Sequence, residues 1–241
     1  MAVKDKKKSR ATLTTDPAEV GGIVPNSKEV MIDIETLGVE GDSVVLSIAA
    51  ITFDRTDVLR HPGLSILVET QTITVNEYIS SFHSPVSLLD CLAAGCQINK
   101  PTAEWWKKQK DRTQLVESMA YTESLHTTMT RLKTYLETGY DLIWAKSPTF
   151  DLTILRSLAK SVGVDLGIDF RKERDVRTEI QDYPQFDVRE ISKYLTVHNS
   201  LGTGISLHNP VYDSVIQIQA IQEVYAAKFT PVVLVSRKAA R

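Results

Sequence analysis

Two runs near the start of the chain are almost wholly apolar. Val30–Glu35 reads Val-Met-Ile-Asp-Ile-Glu, and Val44–Phe53 is rich in Val, Ile and Ala. Runs of this length and composition predict strands, and the polar stretch Gly38–Asp42 predicts the turn between them. A third strand is expected at Leu64–Glu69, which makes the opening a β-meander. The pattern then changes. Residues 72–100 mix short helical patches with polar turns. Pro101 opens a helix expected to run to Lys110, with Trp105 and Trp106 inside it. A second is expected over Thr122–Glu137, stopped before Gly139. Leu142–Ala145 reads as a short buried strand. Further helices are expected to begin near Pro148 and Pro210, with another at Val188–Leu195. A meander followed by alternating helices and strands predicts an α/β fold, a mixed sheet covered by helices.

Residues 1–27 lack periodicity and read as a flexible basic tail, residues 28–230 as one domain and residues 231–241 as a C-terminal tail. A chain of 241 residues with 42% hydrophobic content suits one domain with a substantial core. The net charge of −2 and pI of about 6.2 exclude the strongly basic type of nucleic-acid binder. They leave nucleic acid open as a substrate, because bound divalent cations neutralise phosphates in place of surface lysines. No apolar run follows Lys4, Lys6, Lys7, Lys8 and Arg10, and Val44–Phe53 is too short to cross a bilayer. The expectation is a soluble, cytoplasmic protein without a secretory signal or membrane partner. Cys91 and Cys96 match no zinc or redox spacing and read as free thiols.

The candidate chemistry is acidic. Asp33 and Glu35 lie two apart in a strand and so project to one face; alone, the pair could simply point to solvent. Two later segments share a design: Ser147-Pro148-Thr149-Phe150-Asp151 and Asn209-Pro210-Val211-Tyr212-Asp213. Each has a capping residue, a proline at the first helical position, an aromatic expected to face the sheet, and an aspartate at the fourth position. Two helices that each present an Asp near their start can aim both carboxylates at the strand pair. An acidic residue in a first turn also suits the helix dipole without further role. His208, just before the second cap, is placed in the loop entering that helix and is the candidate general base. His61, His83, His126 and His198 have no such acidic pattern nearby.

Asp33-Ile34-Glu35-Thr36-Leu37-Gly38, Phe150-Asp151 and His208-Asn209-Pro210-Val211-Tyr212-Asp213 together resemble the DEDDh exonuclease superfamily. The block Thr102–Gln109, and Arg174-Asp175-Val176-Arg177-Thr178, resemble more specifically the branch of T-even phage exonuclease A and the mycobacterial 3′–5′ exoribonucleases. The resemblance spans roughly Glu29 to Ala227. It implies an RNase H-like fold with a five-stranded mixed sheet flanked by helices, and two Mg²⁺ or Mn²⁺ ions held by Asp33, Glu35, Asp151 and Asp213. It implies hydrolysis of single-stranded DNA or RNA from a free 3′ end, releasing nucleoside 5′-monophosphates, with His208 as base. Thr36 and Leu37 would follow the metal strand into the substrate groove, Leu37 as a wedge against the terminal base. Adjacent helical residues point about 100° apart, so at most one indole of the Trp105–Trp106 pair faces a base. Trp106 is carried as the substrate contact, with core packing the competing role for each ring. Arg174 and Arg177 are candidate phosphate contacts or structural ion pairs. The alternative function is a catalytically idle module of the same fold that holds 3′ ends.

Overall fold

The computed structural model describes residues 27–56, 80–192 and 208–229. The expected strand at Leu64–Glu69, residues 1–26 and 231–241 of the expected tails, His61 and His198 lie outside the described residues. Ser27, assigned to the tail from sequence, is buried and hydrogen-bonded to Glu29.

The first two expected strands form. β1 (Glu29–Thr36) and β2 (Val45–Phe53) pair antiparallel, from Glu29 opposite Phe53 to Glu35 opposite Ser47. β3 (Ser81–Pro85) joins the outer side of β2, also antiparallel. β4 (Leu142–Ala145) runs parallel to β1, and β5 (Glu173–Asp175) parallel to β4. The order β3-β2-β1-β4-β5 is a five-stranded mixed sheet, flanked by helices as in an RNase H-like fold. Sequence periodicity missed both outer strands. β3 reads Ser-Phe-His-Ser-Pro and β5 is three residues long, so neither carries an apolar alternation long enough to register.

The helices are α1 (Leu88–Ala93), α2 (Lys100–Lys108), α3 (Thr113–Ala120), α4 (Leu125–Leu136), α5 (Pro148–Ser161), α6 (Val176–Ile180) and α7 (Pro210–Phe229). Residues 188–192, within the expected Val188–Leu195 helix, are helical too. Several starts are set by side-chain caps. Ser87 Oγ accepts from Asp90 N–H, Asn99 Oδ1 from Thr102 N–H, and Ser124 Oγ from Thr127 N–H. The Ser124 cap places the start of α4 later than the expected Thr122. α3 was not anticipated. No helix among the described residues is long and apolar enough to cross a membrane.

β1 alternates between two cores, as strand geometry requires. Val30, Ile32 and Ile34 face a cluster that includes Trp106 of α2, Leu132 of α4 and Leu155 of α5. Met31 faces the other, with Trp144 of β4 and Val215 and Ile218 of α7. Asp33 and Glu35 share the Met31 side, so the alternation that buries one apolar set aims both carboxylates towards α7.

Glu29 is fully buried at the base of this sheet. It accepts from Ser27 Oγ at 2.6 Å and from the Trp144 indole at 2.6 Å, and it pairs with Arg55 at 3.0 Å. Glu29→Ala is expected to destabilise the protein by about 1–3 kcal/mol for each buried donor left unpaired. Urea unfolding is the measurement; a variant as stable as wild type would show that Glu29 is not the acceptor for Trp144 in solution.

Candidate active site

β4 ends at Ala145, and its pairing with β1 stops at Met31 opposite Trp144. β1 runs on to Thr36 without a partner on that side. The chain leaves β1 towards β2 and leaves β4 towards α5 and β5, so the two neighbouring parallel strands diverge at their carboxyl ends. Such a crevice is where open α/β sheets place ligands. Here it is a cleft of about 960 Å³, lined by Asp33, Glu35, Asp151, His208 and Asp213 among others.

Each acidic side chain arrives by its own local logic. Asp33 and Glu35 sit on the unpartnered end of β1. Asp151 is the fourth residue of α5, which starts directly beyond β4, and the backbone N–H of Ile34 lies near enough to favour its charged form. Asp213 is the fourth residue of α7, and the backbone N–H of His208 lies near enough to favour its charged form. One turn on, Gln217 Nε2 donates to Asp33 Oδ1 at 2.8 Å. Asn209 caps α7 as expected, its Oδ1 accepting from Val211 and Tyr212 N–H. Ser147 does not: its side chain makes no capping bond to α5 and hydrogen-bonds the Thr149 hydroxyl instead. Tyr212 turns into the core as expected, whereas Phe150 is only half-buried and lines the cleft.

Four carboxylates in one partly dry volume oppose each other's ionisation. Burial first, then Asp213, Asp151 and Glu35, hold Asp33 well above the usual carboxylate range. Burial, then Asp213 and Asp151, pushes Glu35 up to about 8. Burial raises Asp151 to about 7, against the nearby backbone N–H groups of Asp151 and Ile34, and Asp213 to about 6, against Lys146. Among the described residues, Asp151 Oδ2 is buried without a hydrogen-bond partner. An orphaned carboxylate oxygen beside three other carboxylates fits a hard divalent cation, which prefers oxygen ligands. Glu35, His208 and Asp213 bring one potential ligand atom each within 4.8 Å of one another. Asp33 and Asp151 complete the acidic wall around that trio.

His208 has φ of 70°, a left-handed conformation that few side chains other than Asn, Asp and His adopt. Its ring meets Trp105 edge-on, with centroids 4.7 Å apart. Burial lowers its pKa, which keeps the imidazole neutral near pH 7.

The expected substrate contacts fall differently. Trp106 is 1% exposed, and its indole N–H donates to Thr36 O at 2.9 Å. Its faces are closed to a base by the core that surrounds it, and Trp105, 41% exposed, is the indole on the cleft side. Leu37 is 2% exposed and packs in the core; its backbone is tied to Val44 and Asn99, which leaves no free side chain to wedge a base. Thr36 is buried, its hydroxyl donating to Gly38 O at 2.6 Å. Gly38 is required there because a Cβ would lie 2.4 Å from Ser43 Oγ. Thr36 and Leu37 therefore build the turn that carries the end of β1. Sequence reasoning missed Gln217 and Lys146 at the cleft, and of the two indoles it carried Trp106 where Trp105 is the exposed ring against His208. Gln217 had a signal, its spacing of one helical turn from Asp213.

No curated protein matches the chain's sequence. Among solved structures, an exonuclease I structure interpreted for its processivity is 14% identical, with a TM-score of 0.52, covering 83% of this chain and 41% of its own. The nuclease domain of 3′hExo, a DEDDh family member bound to rAMP, is 10% identical, with a TM-score of 0.50, covering 85% of this chain and 94% of its own. The chain thus spans less than half the length of the exonuclease I chain. At these identities the likeness establishes a shared fold. The model of one family, described as the 3′-5′ exoribonuclease Rv2179c-like domain, matches residues 28–225. With a match that spans both strands of the crevice and both Asp-bearing helices, the chain belongs to the 3′-5′ exoribonuclease Rv2179c-like domain family.

Proposed function

We propose that this protein is a metal-dependent 3′→5′ exonuclease that removes nucleoside 5′-monophosphates from single-stranded nucleic acid. The observation that carries this reading is the convergence of Asp33, Glu35, Asp151 and Asp213 at the β1–β4 crevice, with their protons held unusually tightly. The family description makes RNA the first strand to test. Asp33, Glu35, Asp151 and Asp213 would hold two Mg²⁺ or Mn²⁺ ions. When bound, such ions activate water and stabilise charge on the phosphate and the leaving oxygen. The chain supplies the rest. A neutral His208 ring nitrogen accepts the proton of the attacking water. Trp105 braces that ring edge-on, and Gln217 orients Asp33. The P–O3′ bond breaks, and the strand keeps its new 3′ hydroxyl.

The test is a matched degradation assay on RNA and DNA single strands. EDTA should abolish release of mononucleotides and Mg²⁺ or Mn²⁺ should restore it, while a covalently closed circle should resist. Full activity after exhaustive chelation, or efficient cutting of the circle, would overturn the reading; binding of 3′ ends without hydrolysis would instead leave a holding module. His208→Ala should lower the rate by about 10²–10⁴-fold and leave Mg²⁺ affinity near wild type. A loss of affinity as large as that of Asp33→Asn would make His208 a ligand instead, a role its place in the 4.8 Å trio allows.

A further inference from the structure

The cleft that holds the acidic set is also lined by Lys146, Arg177 and Arg189. They come from three places: the residue after β4, the first turn of α6 and the helical residues 188–192. Elsewhere basic side chains pair readily. Arg55, Arg131, Arg156 and Lys228 each have a carboxylate partner. Among the described residues, Lys146, Arg177 and Arg189 have no ion pair. Arg177 is near enough to Lys146 for the two charges to repel. Like charges beside each other at a half-buried position are unfavourable unless an anion joins them.

The acidic wall provides only part of that anion. Asp187, then Asp213 and Asp33, act on Lys146 from a distance, and Asp151 and Arg177 on each other. Of these carboxylates, bound cations would neutralise Asp33, Asp151 and Asp213 under the function proposed above. With the cations bound, Asp187 remains for Lys146, and Arg177 and Arg189 line the cleft without an ion pair among the described residues. A guanidinium fork suits two phosphate oxygens, and an ammonium adds a point charge. We propose that Lys146, Arg177 and Arg189 form a second phosphate subsite, which takes a phosphodiester of the bound strand other than the one being cut. This rests on the exonuclease reading and adds a length requirement to it: a dinucleotide has only the scissile phosphodiester, and a longer strand also fills the subsite.

The experiment compares wild type with Arg177→Ala/Arg189→Ala on a dinucleotide and a pentanucleotide. In wild type the pentanucleotide should have a kcat/KM at least about 10-fold higher, the low end of what one charge-assisted hydrogen bond contributes. In the double variant that ratio should fall towards one, and Arg177→Lys/Arg189→Lys should restore part of it. Binding of a fluorescent pentanucleotide in Mg²⁺, with His208→Ala added to both proteins to slow cleavage, gives a readout apart from turnover. The slope of log Kd against log salt should shrink by about 1.4 in the alanine variant, about 0.7 for each phosphate-neutralising charge removed from a single-strand contact. An unchanged ratio and slope would overturn the proposal. So would an unchanged ratio accompanied by weaker inhibition by a nucleoside 5′-monophosphate, which would assign the basic groups to the terminal nucleotide's own phosphate. If wild type cuts no strand with Mg²⁺ or Mn²⁺, the exonuclease reading fails, and the salt slope still decides the subsite.

Discussion

Asp213→Asn should lose more than about 100-fold in activity, since even residues that only support a metal ligand cost 10–100-fold, and yet be at least as stable as wild type in EDTA at pH 8. Asp213 has a folded pKa of about 6, above its ordinary 3.8. A raised carboxyl pKa favours the fold fully below the ordinary value, and that contribution is lost as pH rises through about 6. Asp151, at about 7, and Glu35, at about 8, extend the loss to higher pH. In EDTA, therefore, wild type should melt at progressively lower temperature as pH rises from 4 to 8. Asn keeps the volume of Asp213 and removes one charge from the cluster, so the pH dependence should flatten and the pH 8 melting temperature should hold or rise. Saturating Mg²⁺ should reverse the order, because a cation that binds only the folded state stabilises it in proportion to affinity. An Asp that merely favoured the dipole of α7 would behave otherwise. Its neutralisation would cost about 0.3–1 kcal/mol with or without Mg²⁺. Thermal unfolding of both proteins across pH, in EDTA and in Mg²⁺, separates these outcomes.

Trp106→Ala should be the most destabilising substitution near the cleft, by about 3–5 kcal/mol, the usual cost of emptying a large aromatic site in a core. For a domain of this size each kcal/mol lowers the melting temperature by about 2–4 °C. The ring is 1% exposed, and its N–H holds the carbonyl of Thr36, the residue after Glu35. Activity should therefore fall together with stability. Trp106→Phe tests the hydrogen bond separately, since it keeps most of the packing and leaves the Thr36 carbonyl without its donor. Trp105→Ala is the contrast: the ring is 41% exposed, so its loss should cost little stability while releasing His208. Equal destabilisation by the two alanine variants would show that the core does not distinguish the indoles.

The adjacent tryptophans mark the limit of what the sequence made legible. Helical geometry states that the two rings diverge, but which one is buried depends on how α2 is rolled against β1, a tertiary fact. The acidic set was readable because its signals are local: alternation in β1, and a proline-led first turn before Asp151 and Asp213. That logic carried the residues and their approximate directions, although the Ser147 cap it relied on is not made. Thr36 and Leu37 were placed in the substrate groove because they follow Glu35. The tight turn at Gly38 folds both inward instead. β3 and β5 were invisible because outer strands so short owe their form to the neighbours they pair with. Lys146 carried no signal, since its importance arises only where β4 stops short of the end of β1.

The hydrogen bond from Gln217 to Asp33 joins residues 184 positions apart, and it ties the last described helix to the first strand. Asp33 and Glu35 are made before Asp213 and Gln217, and the wall of the cleft that answers them does not exist until α7 has been synthesised. A chain halted before Pro210 has three of its four carboxylates, no His208–Asp213 contact and a second core without its largest helix. Under the proposed function, hydrolytic competence therefore waits for α7, whatever the order in which the rest of the sheet and its helices form.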